Sequence, residues 1–388
     1  IFDPDLVERG FVDMKLVEDR STRNSTRFLV IGICKGTKPA DKENLKTFDN
    51  YFNRYYFPMM THPDELGNIA DMRQDLMKQY FGSIKNEAAL QPIRDRLNAM
   101  TMRYMGGLVG TSRGEFHPAV RYNAMLIIGD LDSRGPESIG DPRPAEPLLA
   151  ALDVMRTELT NEEQIDAVKV AALIGITRHA ELDRHRSEDR RIAPVALRGL
   201  IEDLLALASQ KAPPPKRSLA GHMWMRRQAV EALSLLATTR PIGPVAKLMD
   251  DIISDPDEPL PLRCAVAEAQ GRMRSPLAEG VSAEEAAMKL VRLGNEILAE
   301  ELARLQPYMD ELRLADAAID AGPAGGGRFD GGGIDLFGPG GDAVEGEVII
   351  EKAPQISATQ RRGKQRLLCI GSGLFGIDNG PGIAKGVR

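Results

Sequence analysis

A glycine-rich stretch near the end of the chain contains the first residues whose spacing could perform chemistry. Residues 371–376 read Gly-Ser-Gly-Leu-Phe-Gly after an apolar run, which is the pattern of a turn that binds a dinucleotide pyrophosphate. Such a turn needs a helix to open at its third glycine. The following Asp378-Asn-Gly-Pro-Gly382 would break that helix. The pattern therefore favours a plain glycine-rich turn, and the sequence predicts no cofactor.

Residues that usually bind metals or attack substrates are scattered along the chain. The sequence has five histidines and three cysteines, with no HExxH motif and no CxxC pair. Paired acids such as Asp250-Asp251 fit exposed helix faces and need no acid–base role. The sequence therefore predicts no metal site and names no catalytic residue. An enzymatic function stays open as the less favoured interpretation.

Two basic stretches could bind anions. The tail stretch 361–366 contains no acid, so its cations are the anion-binding candidates: Arg361, Arg362, Lys364 and Arg366. Protection of a strand edge by charge is the alternative explanation. The other stretch, residues 178–191, interleaves its arginines with acids, which favours local ion pairing. The formal net charge of −6 disfavours nucleic acid as a partner.

Four segments of the chain share a short pattern that indicates how these residues are positioned. A basic or small residue is followed by small or apolar residues at the third and sixth places and by glycine or serine at the eighth. The segments begin at Arg121, Ala167, Arg226 and Arg263 and end at Gly129, Gly175, Ser234 and Gly271. An apolar helical segment follows each, so the spacing predicts a stack of helix pairs.

This pattern resembles HEAT-like repeats of the bilin-lyase type, an armadillo-like helical repeat. The resemblance is carried by residues 244–271, which include Pro261-Leu-Arg-Cys-Ala-Val-Ala-Glu-Ala-Gln-Gly271, and by His117-Pro-Ala-Val-Arg-Tyr-Asn-Ala-Met-Leu-Ile-Ile-Gly129. It implies an α-solenoid with an extended interaction surface. The second segment departs from the pattern, because Ala167 replaces the arginine and a charged insert follows.

The chain divides by composition into five regions. The predicted fold is mainly α, a solenoid of HEAT-like helix pairs with a small β-containing N-terminal segment and a glycine-rich C-terminal tail. In order, we predict short strands and turns over 1–40, a Met- and aromatic-rich helical cap over 41–115, the solenoid over 116–315, a glycine-rich linker over 316–346, and a basic tail with short strands over 347–388. The predicted strands are Arg27–Cys34, Glu347–Glu351 and Gln365–Ile370.

Two groups of residues are candidates for contact with a partner. The first lies on the second helices of the pairs: Arg198, Glu202, Lys247 and Asp251. The second is aromatic and comprises Tyr55, Tyr56 and Trp224, since aromatic residues are enriched at protein interfaces. A hydrophobic core is the alternative role for the tyrosines, and packing of a loop on the third repeat is the alternative for Trp224.

The favoured function is a non-catalytic scaffold or adaptor that binds a protein partner through a helical-repeat surface. The alternatives are an enzyme or enzyme subunit similar to HEAT-type bilin lyases and, third, a nucleic-acid-binding protein. No apolar run reaches the length of a membrane span, so we expect a soluble protein whose oligomeric state stays open. The printed chain begins at Ile1 rather than methionine, which leaves the compartment unassigned and export possible.

Overall fold

The computed structural model describes residues 13–110, 116–137, 143–320, 361–370 and 372–373. These residues are mainly helical, and their only named strands form one two-stranded antiparallel sheet, β1 (Asp132–Arg134) and β2 (Glu146–Pro147). The chain separates into two compact units, Ile1–Val245 and Ala246–Arg388, which we call unit 1 and unit 2. Among the described helices, none has the length and hydropathy needed to cross a membrane.

The helices of unit 1 begin with a group of short segments. They are α1 (Met14–Glu18), α2 (Arg20–Cys34), α3 (Lys42–Tyr51), a π-helical turn (Phe52–Tyr56), α4 (Phe57–Met59), α5 (Ile69–Asp75) with a second π-helical turn (Leu76–Tyr80), and α6 (Gln91–Val109). Short 3₁₀ segments lie at Pro63–Glu65, Phe81–Ser83 and Glu188–Arg190.

Eight longer helices follow. They are α7 (Pro118–Asp130), α8 (Leu149–Thr160), α9 (Asp166–Asp183), α10 (Pro194–Ser209), α11 (Leu219–Leu236), α12 (Gly243–Ser254), α13 (Leu260–Arg272) and α14 (Ala283–Asp320). The sequence predicts helices over 118–131, 145–159, 162–177, 193–209, 224–238, 244–254, 261–273 and 283 to about 312. Each predicted range overlaps one of these eight helices, with ends that differ by up to about eight residues. The apolar periodicity and the prolines at several starts account for this agreement.

The predicted N-terminal strand is wrong, because residues 27–34 belong to α2. Asp19 caps this helix, and its carboxylate accepts hydrogen bonds from the backbone N–H groups of Ser21 and Thr22. Val30, Ile33 and Cys34 are buried with helical spacing. A short β-branched run does not by itself separate a strand from a buried helix, and here the run continues a helix that begins at the Asp19 cap.

The glycines of the first two repeat segments allow close helix packing. In unit 1, α9 packs between α7 and α11, while α8 contacts α9 and α10 contacts α11. A Cβ atom on Gly129 would lie 2.8 Å from the Cα atom of Gly175, and a Cβ atom on Gly175 would overlap the sulfur of Met155. These glycines therefore serve backbone-to-backbone contact between α7 and α9.

Three arginines of the repeat segments cap the preceding helix. Arg121 donates to the carbonyl oxygen of Val109 at 3.1 Å, the last residue of α6. Arg226 donates to the carbonyl oxygen of Ala208 at 2.8 Å, and Arg263 to that of Ile253 at 3.0 Å. These contacts are the same in kind, and all three arginines are buried. Each arginine satisfies a carbonyl group at a helix C-terminus, where the helix dipole also favours a cation.

The predicted C-terminal strand at Gln365–Ile370 is also wrong, because residues 361–370 form a helix, here called the tail helix. It belongs to unit 2, where Arg362 and Arg366 bond Glu301 of α14. Residue 373 lies against α13, and a Cβ atom on Gly373 would lie 2.7 Å from the carbonyl oxygen of Ala267. Close packing on α13 therefore explains one glycine of the GxGxxG pattern.

Part of the predicted tail lies outside the described residues. This holds for the strand at Glu347–Glu351, for residues 321–346 of the glycine-rich linker and for residues 374–376 of the glycine pattern. Residues 316–320, which composition assigned to the linker, continue α14.

Candidate functional site

A cleft of about 1220 Å³ opens in unit 1 at the second repeat segment. Its walls are the end of α8, the turn into α9, the outer face of α10 and the loop from α10 to α11. Apolar lining comes from residues such as Leu159, Ile165, Leu207 and Met225. Charged side chains from α9, α10 and both connecting segments complete the lining, so the cleft is mixed in chemistry.

The loop from α10 to α11 is attached to the start of α9 by a bidentate ion pair. Arg217 donates through Nε and Nη2 to Asp166 at 3.0 and 2.8 Å, and its Nη1 lies 3.3 Å from Nδ1 of His222. The other ring nitrogen of His222 lies 2.6 Å from the carbonyl oxygen of Gln210. A bidentate arginine–carboxylate pair has fixed geometry, so this wall of the cleft is held in place.

The turn between α8 and α9 is held by one buried glutamine. Gln164 accepts a hydrogen bond from Arg121 at 2.5 Å and donates to the carbonyl oxygen of Val109 at 2.8 Å. Its amide nitrogen also donates to Glu158 at 2.6 Å. The floor of the cleft is thus connected to the capping arginine of the preceding repeat segment, and all of the amide's polar atoms are used.

Lys169 differs from every other cation of the cleft. It lies in the first turn of α9, is only 8 % exposed and lines the cleft. Within the described residues it makes no hydrogen bond and no ion pair. Burial, together with the positive charge of Arg217, lowers the pKa of this amine. The carboxylates of Asp166, Glu162 and Glu158 oppose this shift, and the Nζ atom is not fully enclosed, so the amine can meet a group that enters the cleft.

Some acids around the cleft form ion pairs with arginines, and others are exposed to solvent. Asp166 is paired with Arg217, and Asp203 is paired with Arg156 at 2.8 Å. Glu162, Glu163 and Glu202 are exposed at the rim, where water screens their charge. The rim is therefore acidic while the buried, unpaired charge inside is positive.

The four helix-face candidates are separated by the structure. Glu202 lines the cleft, and Arg198 is exposed one turn earlier on α10. Lys247 and Asp251 lie in unit 2, where they form an exposed ion pair of 3.0 Å along α12. Of these four residues, the structure places Glu202 in the cleft. The charges of Lys247 and Asp251 are therefore already paired with each other.

The aromatic candidates belong mainly to the core. Tyr56 is 5 % exposed and its hydroxyl donates to the carbonyl oxygen of Met72 at 2.6 Å. Tyr55 is half-buried, with its ring centroid 5.4 Å from that of Tyr51. These rings, with Phe48, Phe52 and Tyr80, form the hydrophobic core beside α3, so Tyr56 has no free surface for a partner. Trp224 is half-buried on α11.

Two of the four basic candidates in the tail helix pair with an acid of α14. Glu301 is 7 % exposed and lies 2.9 Å from Arg366 and 3.3 Å from Arg362. Residues 361–366 contain no acid, but α14 supplies acids to two of the four cations. Arg361 and Lys364 are exposed on the tail helix. The arginine-rich run at 178–191 pairs as expected, for example Arg184 with Glu181 and Arg190 with Glu146.

Comparison with known proteins finds no match: no family model, no curated protein and no solved structure is similar to this chain. The HEAT-like resemblance is therefore still a prediction. Among the described residues, no group of three or more histidine, cysteine or acidic side chains is placed to hold a metal ion.

Sequence reasoning missed Lys169 and the cleft around it. The signal that could have found them is the lapse of the repeat pattern at Ala167, followed two residues later by a lysine on the core-facing side of a helix. Arg121, Arg226 and Arg263 cover the end of the preceding helix, whereas no side chain of α9 in the described residues donates to the end of α8. The cleft lies where that cover is missing.

Proposed function

We propose that this chain is a non-catalytic scaffold or adaptor, and that the cleft at α8–α11 binds a segment of a protein partner. The observation that carries the proposal is the cleft itself. Its volume of about 1220 Å³ exceeds the roughly 300–1,000 Å³ of ordinary small-molecule sites. Its mixture of apolar side chains with acids and cations suits a polypeptide, which presents the same mixture.

We further propose that the helices from α7 onward form HEAT-like pairs of an α-solenoid. Two kinds of contact support this arrangement: the three capping arginines at the helix ends and the one glycine contact between α7 and α9. In such proteins the loops and second helices present a continuous binding surface. The cleft uses α10, which packs on α11, together with the turn from α8 to α9 and the loop from α10 to α11.

A protein segment is favoured over nucleic acid by the local charge. The rim of the cleft carries Glu162, Glu163 and Glu202, and a phosphate backbone would be repelled there. The formal net charge of −6 acts in the same direction.

The test is selection of peptides on the full chain, followed by a block of the cleft. A phage-displayed library of random dodecapeptides supplies the probes, and fluorescence polarisation of the synthesised peptides measures their affinity. Ala206 is an exposed lining residue of α10, so Ala206→Trp should fill the cleft without disturbing the core. We expect it to weaken binding at least tenfold at an unchanged melting temperature.

The matched control is Ala299→Trp, which changes an exposed alanine of α14 in unit 2. It should leave the affinity of the same peptides unchanged. Binding that survives Ala206→Trp intact, or selection that yields no peptide, would contradict the proposed function.

A further inference from the structure

We infer that Lys169 is the anchor for a carboxylate of the bound segment, either an acidic side chain or a C-terminal carboxylate. This inference rests on the proposed function, since it names the group that the cleft recognises. Three observations carry it: the isolation of the lysine amine, the uncapped start of α9, and the distribution of acids around the cleft.

The isolation of the amine is the first observation. Lys169 is more than nine-tenths buried, lines the cleft and makes no hydrogen bond or ion pair within the described residues. The ammonium group has three donors to satisfy, and the nearby acids Asp166, Glu162 and Glu158 act on its charge without bonding it. The nearest acid on its own helix, Asp166, is committed to Arg217 through two nitrogens. An incoming acceptor would therefore be the first direct partner of this amine.

The start of α9 is the second observation. Its N-cap residue is Ile165, whose aliphatic side chain makes no cap hydrogen bond. A helix N-terminus carries partial positive charge and free N–H donors, and α9 is 18 residues long. Lys169 lies one turn into the same helix. Asp166, the acid in this first turn, is already paired with Arg217, so Lys169 is the charge at this end of the cleft that still lacks a direct negative partner among the described residues.

The acids of the cleft decide which anion fits. Asp166 and Asp203 are neutralised by Arg217 and Arg156, so they do not compete for Lys169. The unpaired rim acids Glu162, Glu163 and Glu202 disfavour a doubly charged phosphate more than a singly charged carboxylate. The same rim favours basic residues in the partner. We therefore expect a segment with one carboxylate flanked by basic or neutral residues.

The experiment is a double-mutant cycle on the peptides selected by display. Each acid in a selected peptide is replaced by its amide, and in a separate peptide the C-terminus is amidated. Affinities are measured for the unchanged chain, Lys169→Met and Lys169→Arg. We expect one of the peptide changes to weaken binding at least tenfold to the unchanged chain and to have no effect on Lys169→Met. Lys169→Arg, which retains a cation, should keep most of the affinity.

The peptide change that weakens binding shows whether the carboxylate is a side chain or the C-terminus. Loss on amidation of the C-terminus identifies a terminal carboxylate, and loss on an internal Glu→Gln or Asp→Asn change identifies a side chain. Thermal unfolding of Lys169→Met checks folding, because removal of a buried charge should not lower the melting temperature.

The outcomes distinguish this inference from the proposed function. If Ala206→Trp abolishes binding but Lys169→Met binds acid and amide peptides as tightly as the unchanged chain does, the cleft binds a segment and the carboxylate anchor is wrong. If Ala206→Trp binds normally, the proposed function itself is wrong, and the inference fails with it.

Discussion

The second repeat segment differs from the other three in how it treats the end of the preceding helix. In the segments that begin at Arg121, Arg226 and Arg263, a buried guanidinium group donates to a carbonyl oxygen in the last two residues of that helix. In the second segment Ala167 stands at the equivalent place. No side chain of α9 in the described residues covers the end of α8, and Lys169 faces a cleft instead.

This difference indicates how one sequence pattern can serve helix packing in three segments and leave room for a cleft in the remaining one. Arginine at the repeat position closes the junction between successive helices and satisfies their terminal carbonyl groups. The alanine at the equivalent place in the second segment leaves the end of α8 without that donor, and Lys169 lines the cleft beside it. We therefore expect substitutions at the arginine positions to affect stability and substitutions at Lys169 to affect binding.

The largest expected effect comes from removing a capping arginine. Arg226 is 1 % exposed and its Nε donates to the carbonyl oxygen of Ala208 at 2.8 Å. Arg226→Met leaves that buried carbonyl without this donor, which should lower the free energy of unfolding by about 3 kcal/mol. Chemical denaturation measures the change. Lys169→Met is the matched variant and should unfold at the same denaturant concentration or a higher one. An equal loss of stability in both variants would contradict the expectation that the arginines stabilise the fold whereas Lys169 serves binding.

A somewhat smaller effect should follow from closing the contact between α7 and α9. Gly129→Ala places a Cβ atom 2.8 Å from the Cα atom of Gly175, and backbone cannot move aside as a flexible side chain can. We expect a loss of about 2 kcal/mol. Gly106→Ala in α6 is the control, since no atom lies within 4 Å of its added Cβ. That variant should gain about 0.5–1 kcal/mol from helix propensity, and a loss there would indicate a general intolerance of alanine.

A third prediction concerns pH and the buried end of α9. His179 is 2 % exposed, neither ring nitrogen has a hydrogen-bond partner, and burial lowers its pKa to about 3. Because the folded-state pKa is below the unfolded value of about 6.5, the unfolded chain binds the extra proton first, and stability falls as pH drops through 6.5. Because of this histidine, the free energy of unfolding should be about 2 kcal/mol lower at pH 5 than at pH 8.

His179→Leu should remove that part of the acid destabilisation, as measured by urea unfolding at both pH values. His185→Gln changes an exposed histidine near the end of the same helix and should leave the pH dependence as it is. Identical acid destabilisation of the unchanged chain and His179→Leu would show that His179 is not the titrating group.

The smallest effect on stability is expected when the missing arginine is restored. Ala167→Arg should cover the end of α8 as Arg121 covers the end of α6, with a gain below about 1 kcal/mol. The same side chain should occupy part of the cleft and lower the affinity of the selected peptides at least tenfold. Retained affinity would mean that the lapse in the repeat pattern and the cleft are unrelated.

The sequence predicts the helices of this chain better than it predicts the site. The helices from α7 to α14 have long apolar periodicity, several begin at or beside a proline, and each overlaps a predicted helix. Residues 27–34 and 365–370 are short apolar runs, for which periodicity does not separate strand from helix. Their helical state depends on a cap at Asp19 and on packing against α13 and α14.

The cleft could not be predicted because its walls come from four segments that meet only in the folded chain. The sequence identified Glu202 as a candidate because it lies on an exposed helix face. It did not identify Lys169, because that lysine lacks a direct partner only when Arg217 binds Asp166 in the folded chain. The aromatic residue Tyr56 was ambiguous between a core and a surface, and the structure buries it.

The most direct test of the central claim, that a partner segment binds where the repeat pattern lapses, is methyl NMR of the methionines. The chain is labelled with ¹³C-methyl methionine, the Met225 signal is assigned through Met225→Leu, and a selected peptide is titrated in. Met225 lines the cleft, whereas Met105 is buried in α6 and Met288 is exposed on α14. We predict that the Met225 signal shifts and that the other two do not. A shift at Met288 with Met225 unchanged would contradict the account.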